Sequence, residues 1–279
     1  MNLPPDLLRT FELFQFPFMQ RALAGGILTG LMGGLLGSFT ILRQLSFFSD
    51  ALGHSALLGI SLGFAFGLAP SVVILPFAVV FGLVVTYLLE RTKLWTDALL
   101  NIIYSSSLAI SIIILSFIGR YKGGIENLLF GDILAVRNSD LMVSGLLFCV
   151  CVVFIALTLR TQMMLTLHEP MAIARGISVS AHRTAFIVLL SLVVGVSIKA
   201  IGVLLVSAFI VIPACAARLL SRNFTTHIVC SASLGALSAI LGITLSAFWD
   251  LPSGPSIVVA QLAIFFIAVL IPKAQWLTH

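Results

Sequence analysis

Long apolar segments, separated by short polar connections, dominate the hydrophobic pattern of this 279-residue chain. A membrane-spanning helix needs about 20 mostly apolar residues, and nine segments approach that length. They are residues 20–42, 48–67, 71–89, 97–118, 140–159, 183–198, 200–219, 226–248 and 255–272. The sixth and seventh meet tightly at Lys199, so eight spans remain an alternative. The pattern predicts an all-α, polytopic helical bundle with about eight or nine transmembrane helices.

Three connecting regions are expected to have structure of their own. Residues 1–17 contain an amphipathic stretch that we expect at the membrane interface. Residues 128–134 are apolar but too short to span, and they predict a short helix on the outer side. Residues 160–182 form the longest inner connection, in which Pro170 suits the first turn of a helix and Gly176 its end. We therefore expect a cytoplasmic helix of under two turns there.

Composition supports a single transmembrane domain over residues 1–279. Hydrophobic residues make up 60% of the chain and charged residues only 9%, whereas soluble proteins carry about 25% charged residues. The net charge of +5 comes from basic residues at the ends of apolar segments, which are topology signals. We expect contact with membrane lipid and none with nucleic acid. Nine of the 15 basic residues fall on one side, which places the C-terminus in the cytoplasm.

Asp50 and His54 are the outstanding ionisable residues within an apolar segment, where charge is costly and by default suggests function. Their i, i+4 spacing puts both side chains on one helix face. With Arg43 as the inner boundary, a rise of about 1.5 Å per residue places them about 10 and 16 Å deep, near mid-bilayer. A carboxylate and an imidazole together suit Zn²⁺ or Mn²⁺, and a two-fold dimer would supply four ligands. An ion pair that locks two helices explains the spacing equally well, and a proton relay is a further alternative.

Other residues offer weaker signals. Lys199 either lines a pathway as an electrostatic gate or reaches the outer interface as a snorkelling side chain. Pro213 should kink its helix, for gating or for static packing. Gly59, Gly63 and Gly67 repeat every four residues, which predicts a close-packing ridge on the face opposite Asp50 and His54.

Several ordered motifs resemble those of the zinc/manganese ABC-transporter permeases of the ABC-3 type. The resemblance extends from about residue 18 to residue 273. It is carried by FTILR at 39–43, LSFFSDALGHSALLG at 45–59, LFGDILAV at 129–136, GVLLV at 202–206, PACAAR at 213–218 and DLPSGPS at 250–256.

The resemblance implies the fold of type II ABC importers and a homodimer with the ion path on its two-fold axis. Asp50 and His54 match the family's metal-coordinating positions. The 168–177 segment matches the coupling helix that docks on a cytoplasmic ABC ATPase, and its candidate residues are Glu169, Pro170, Ala172, Arg175 and Gly176. An extracytoplasmic solute-binding protein would deliver the metal, and the location would be a prokaryotic inner membrane. Zn²⁺ or Mn²⁺ is then cargo, and no resident cofactor is expected.

Two departures from the family pattern flank the candidate ligands. Ser49 stands where Gly is usual, and Gly53 stands where Ser or Ala is usual. Neither residue is a ligand, so the site is kept. Ile198-Lys199 and Trp249-Asp250, with the prolines that follow, are similar to zinc members of the family. The resemblance therefore favours zinc over manganese and leaves iron open.

The chain contains no Gly-x4-Gly-Lys-Ser/Thr phosphate-binding motif. We therefore expect no enzyme here, and ATP hydrolysis would come from a separate subunit. Two rival functions remain. A secondary metal/proton transporter would use Asp50 and His54 to exchange protons for metal, and it would depend on the proton gradient rather than on ATP. A membrane scaffold would use the same pair only as a structural lock.

Overall fold

The computed structural model describes residues 14–92, 94–118, 131 and 133–271, and all regular structure within them is helical. One turn of 3₁₀ helix, Ile133–Ala135, precedes the fifth helix. The α-helices are α1 (Pro17–Leu42), α2 (Phe48–Ala65), α3 (Pro70–Thr92), α4 (Thr96–Ile118), α5 (Asn138–Leu167), α6 (Glu169–Ala174), α7 (Val179–Ile201), α8 (Val206–Leu220), α9 (Phe224–Trp249) and α10 (Ser253–Leu270).

The nine long helices coincide with the nine predicted apolar segments, which confirms the prediction of an all-α, multi-pass membrane protein. In the described part of the chain, seven of them are long and apolar enough to cross a membrane. The other two are α2 and α8. Helix α8 has 15 residues. Helix α2 has 18 residues and includes Asp50 and His54, whose polar side chains lower its hydropathy.

Helix α5 is longer than predicted, because it continues from residue 159 to Leu167. The expected inner connection of residues 160–182 therefore shortens to residues 168–178. The extra turns contain polar residues that hydropathy excludes from a span. One of them, Gln162, is fully buried and accepts a hydrogen bond from Arg43 of α1's C-terminal end, so tertiary contacts stabilise this part of the helix.

Two predicted segments fall largely outside the described residues. The interfacial stretch lies mainly within residues 1–13, and α1 begins at Pro17. Most of the predicted outer helix, residues 128–134, is likewise outside. Its end is the 3₁₀ turn at Ile133–Ala135, where Ile133 is buried.

Helix α1 lies at the centre of the bundle and contacts α5, α8 and α9. Glycines make its approach to α9 possible. A β-carbon added at Gly30 would overlap the backbone of Gly235, and one at Gly34 would overlap the backbone of Ser231. The Ser231 hydroxyl donates a 2.6 Å hydrogen bond to the Gly34 carbonyl oxygen. Small residues and interhelical hydrogen bonds are the usual means by which membrane helices associate.

Helix α2 packs between α3 and α4. A β-carbon on Gly59 would lie 2.6 Å from the Phe77 ring of α3, and one on Gly63 would lie 2.8 Å from Val73. These two glycines confirm the predicted ridge. Gly67 is not part of it, because it follows the helix with a φ of +70° and has open space around its Cα. It serves the turn into α3, where only glycine adopts a positive φ without strain.

The charged residues divide between the two ends of the bundle. Arg43 contacts the C-terminal end of α5 and Phe186 near the start of α7. Lys199, near the end of α7, pairs with Asp140 at the start of α5. The two groups therefore lie at opposite ends, as expected from the division of basic residues into an inner and an outer set.

Candidate functional site

The Asp50–His54 pair lies close to the start of α2, immediately after a tight turn. The turn is closed by hydrogen bonds of 2.9 Å from the Leu45 amide to the Thr40 carbonyl and from the Phe48 amide to the Leu45 carbonyl. Because α2 begins at Phe48, Asp50 and His54 rise only about 3 and 9 Å along its axis. The predicted depths counted a helical rise from Arg43, whereas residues 43–47 form a turn, so that count overstates the rise along the helix axis.

The two side chains are near each other but not bonded. His54 Nε2 and Asp50 Oδ1 are 3.8 Å apart, which exceeds a hydrogen-bond distance. The His54 side chain is 18% exposed and that of Asp50 is 32% exposed. An i, i+4 ion pair of this kind stabilises a helix by only about 0.3–0.5 kcal/mol. The geometry therefore leaves nitrogen and oxygen lone pairs available for a ligand.

Tyr104 of α4 restrains the imidazole. Its ring meets His54 edge-on, with centroids 5.0 Å apart, and meets Phe47 in the same way at 6.2 Å. Tyr104 was not among the residues predicted from the sequence. A polar stripe on an apolar helix was the available signal, since Asn101 lies three residues before Tyr104 and four before Ser105, whose hydroxyl donates to Asn101 at 3.3 Å.

The two departures from the family pattern have structural consequences. A β-carbon on Gly53 would lie 3.3 Å from Val203, so glycine permits α2 to lie close to the segment before α8. Ser49 is fully buried, and its hydroxyl has no hydrogen-bond partner among the described residues. Neither residue supplies a side-chain ligand beside Asp50 and His54, because glycine has no side chain and the Ser49 hydroxyl is buried.

The described part of one chain does not by itself supply a full set of metal ligands. Among the residues that the structure describes, no group of three or more His, Cys, Asp or Glu side chains is arranged to hold a metal ion. Asp50 and His54 offer one hard oxygen ligand and one borderline nitrogen ligand, a combination that suits Zn²⁺ and Mn²⁺.

The predicted short inner helix is α6. Pro170 occupies its first turn, and Gly176 follows its end with a φ of +71°. Glu169 accepts two hydrogen bonds of 2.8 Å from Arg183 of α7. Ala172 is fully buried and anchors the helix, while Arg175 is exposed.

Two apolar side chains of α6 that the sequence did not single out are exposed, and their spacing of two residues places them on different faces of the helix. Met171 is 52% exposed and Ile173 is 60% exposed.

Lys199 lies at the other end of the molecule. Its ammonium is 2.7 Å from Asp140 Oδ1, and Asp140 Oδ2 also accepts a 3.0 Å hydrogen bond from the Arg137 amide at the start of α5. A cavity of about 400 Å³, mostly apolar, opens beside this pair between α1, α3, α5 and α7. The structure does not bring Lys199 and the Asp50–His54 pair together, and the gating role of Lys199 stays a prediction.

Pro213 lies within α8 and is buried. A proline cannot donate to the carbonyl four residues earlier, which here belongs to Phe209. A β-carbon on Gly33 of α1 would come 2.7 Å from that carbonyl oxygen. The freed carbonyl thus faces the glycine surface of α1, and the gating role of Pro213, like its alternative of static packing, stays a prediction.

Comparison with known proteins places this arrangement in a family. A family model described as the ABC 3 transport family matches residues 15–272. The chain belongs to the ABC 3 transport family. It is a multi-pass permease, and the matched residues include both α2 and α6.

Individual relatives extend over almost the entire chain. The manganese transport system membrane protein MntC of Listeria monocytogenes is 31% identical over 265 residues, which cover 95% of this chain and 94% of the relative. The high-affinity zinc uptake system membrane protein ZnuB of Haemophilus influenzae is 29% identical over 254 residues, covering 91% and 97%.

A solved structure confirms the permease fold. The structure titled PsaBC from Streptococcus pneumoniae in complex with Fab superimposes with a TM-score of 0.84 at 29% identity. It covers 97% of this chain and 98% of that one. The predicted fold of an ABC importer permease is therefore confirmed.

Proposed function

We propose that this permease imports a divalent transition metal ion, with zinc favoured over manganese, and that Asp50 and His54 hold the ion transiently. The observation that carries this proposal is the 3.8 Å gap between His54 Nε2 and Asp50 Oδ1. A locked pair would be hydrogen-bonded, whereas this one leaves its lone pairs free and partly exposed. Side chains that are partly exposed and not bonded to each other can take up an ion and release it, as transport requires.

A homodimer would complete the site. Asp50, Asn101 and Ser105 are polar side chains at least partly exposed on membrane helices, and exposure of polar groups to lipid is costly. A second copy packed against this face would cover them and contribute its own Asp50 and His54. Four ligands on a two-fold axis fit the four-coordinate preference of Zn²⁺.

The energy source would be a separate cytoplasmic ABC ATPase that docks on α6. The exposed Met171 and Ile173 offer it an apolar contact, and Arg175 a charged one. A solute-binding protein on the opposite face would release the metal into the dimer axis. ATP-driven movement of α6 would then switch the permease between outward-facing and inward-facing states, in an inner membrane of a prokaryote.

The choice of metal rests on weaker support. The relatives are named for manganese and for zinc, and both ions accept carboxylate and imidazole ligands. We favour zinc because imidazole is a typical zinc ligand and because the motifs around Lys199 and Asp250 resemble zinc members. A secondary metal/proton transporter is the alternative, and collapse of the proton gradient at constant ATP would separate it from an ATP-driven importer.

Cellular metal uptake tests the proposal. The permease would be expressed with its cognate ATPase and binding protein in a strain that lacks its own importers, and ⁶⁵Zn and ⁵⁴Mn uptake would be followed. Asp97→Asn is a matched control for Asp50→Asn, because Asp97 also lies in the first turn of a helix. We expect uptake to fall in Asp50→Asn and His54→Ala but not in the control. Uptake that survives both changes at equal expression would make the pair a structural lock.

A further inference from the structure

Arg43 lies where the metal-bearing helix meets the coupling region. It is the C-cap residue that immediately follows α1, and it is the first residue of the short turn that leads to α2. Within that turn Gln44 adopts a φ of +56°, and its hydrogen bonds hold the start of α2 against the end of α1. Because this turn is short and hydrogen-bonded, a displacement of Arg43 would also displace the start of α2, where Asp50 lies.

The Arg43 side chain is fastened to the end of α5. Its Nε donates to Thr166 Oγ1 at 3.0 Å, and its Nη2 donates to the Gln162 side-chain and main-chain oxygens at 2.6 and 3.1 Å. Both partners lie in the last two turns of α5. Only His168 separates that helix from α6, so the guanidinium holds the element that continues into the coupling helix.

The opposite side of Arg43 faces α7. Its guanidinium lies over the Phe186 ring, 4.4 Å from the centroid, one turn from the Arg183 that binds Glu169. Burial and, to a smaller extent, the nearby Arg183 lower the pKa of Arg43 to about 10, against the opposing effect of Glu169. Arg43 thus stays charged at neutral pH, and its charge and that of Glu169 on α6 attract each other.

We propose that Arg43 is a positioning residue that transmits displacement of α6 to Asp50 and His54. This inference rests on the proposed function, because it gives the ATPase-driven movement a route to the metal. A cavity of about 390 Å³ adjoins the network and is lined in part by Arg43, Glu169 and Arg183. It provides the space in which these side chains can change partners.

Arginine is suited to this role in a way that lysine is not. A planar guanidinium donates several hydrogen bonds in fixed directions and stacks on an aromatic ring at the same time. A lysine at residue 43 would keep the positive charge near Glu169. It would not hydrogen-bond to Thr166 and Gln162 and stack on Phe186 at the same time. Arg43→Lys therefore separates the contribution of charge from that of geometry.

Hydrogen exchange in the assembled transporter tests the route. The permease with its cognate ATPase would be placed in lipid nanodiscs, and amide exchange would be compared with and without a non-hydrolysable ATP analogue. In the native complex we expect exchange to change at residues 168–178 and at residues 45–55. In Arg43→Gln and Arg43→Lys we expect the change at 168–178 to persist and the change at 45–55 to be lost.

Activity gives a second readout in the same samples. We expect metal-dependent stimulation of ATP hydrolysis to fall at least about fivefold in both Arg43 variants, with basal hydrolysis kept within about twofold. Arg160→Gln is the control, because Arg160 is an exposed arginine on the same helix as Gln162, and it should behave as the native protein does.

The outcomes separate this inference from the proposed function. An ATP response at residues 45–55 that survives in the Arg43 variants would overturn the role of Arg43 while leaving the importer assignment intact. Absence of any response at 168–178 in the native complex would instead contradict docking of the ATPase on α6. Arg43→Lys keeps the buried charge, and it decides the question should Arg43→Gln fail to assemble.

Discussion

The pairs Asp50–His54 and Glu169–Arg183 each join a carboxylate to a nitrogen-bearing side chain, yet their geometry differs. Glu169 and Arg183 are joined by two hydrogen bonds of 2.8 Å between α6 and α7. Asp50 and His54 lie on one helix, 3.8 Å apart and not hydrogen-bonded. The first pair has used its bonding capacity to hold two helices together. The second retains bonding capacity, which is what a transient ligand site needs.

We call Asp50 and His54, which are not hydrogen-bonded to each other, the open pair. Replacement of either residue should give the largest loss of metal uptake. We expect Asp50→Asn and His54→Ala to lower metal uptake by about 100-fold or more, because loss of a residue that only orients a metal ligand already costs about 10–100-fold. Radiometal uptake at equal membrane expression is the measurement. A reduction of less than threefold in both would mean that the two pairs are alike and that neither holds metal.

Tyr104 offers a subtler way to disturb the open pair. Tyr104→Ala removes the ring that meets His54 edge-on, and we expect uptake to fall about tenfold because the imidazole loses its orientation. Tyr104→Phe keeps the ring and should remain within about twofold of the native rate. Equal losses in the two variants would assign the effect to the hydroxyl and contradict the orienting role.

Replacement of a residue in the hydrogen-bonded pair of Glu169 and Arg183 should affect metal uptake more than it affects stability. We expect Glu169→Gln to change the free energy of unfolding by less than about 1 kcal/mol, because both side chains are partly exposed to solvent. Uptake should nevertheless fall about fivefold, since α6 loses a fixed link to α7. Glu90→Gln, at an exposed glutamate of α3, is the control. Thermal unfolding and uptake of the same preparations would show whether the two effects separate.

The smallest effect is expected at the outer pair of Lys199 and Asp140. Lys199 is 48% exposed, and exposed ion pairs contribute about 0–1 kcal/mol. Lys199→Met should therefore leave zinc uptake within about twofold of the native rate. A loss approaching that of Asp50→Asn would instead support the prediction that Lys199 gates the pathway.

The helices could be predicted from sequence because a bilayer demands long apolar segments, and nine of them coincide with helices in the structure. The end of α5 could not, since Gln162 and Thr166 are polar and the helix is stabilised there by Arg43. Hydropathy does not register such a distant partner. Gly67 also repeats with the ridge but belongs to a turn, because periodicity does not reveal where a helix stops.

The candidate site was predictable to the extent that it lies on one helix. The i, i+4 spacing brought Asp50 and His54 together because helical geometry is local. Contacts between helices determine the distance between Asp50 and His54, the position of the Tyr104 ring and the hydrogen bonds from Arg43 to α5. No spacing along the chain encodes them.

Equilibrium binding of zinc tests the central claim most directly, namely that Asp50 and His54 hold the transported ion. The permease complex would be purified in nanodiscs without the binding protein and titrated against a zinc-buffered indicator, with Asp97→Asn as the control. We expect one zinc per two copies of the chain in the native and control proteins, and none in Asp50→Asn or His54→Ala. Unchanged binding in both variants would contradict the claim.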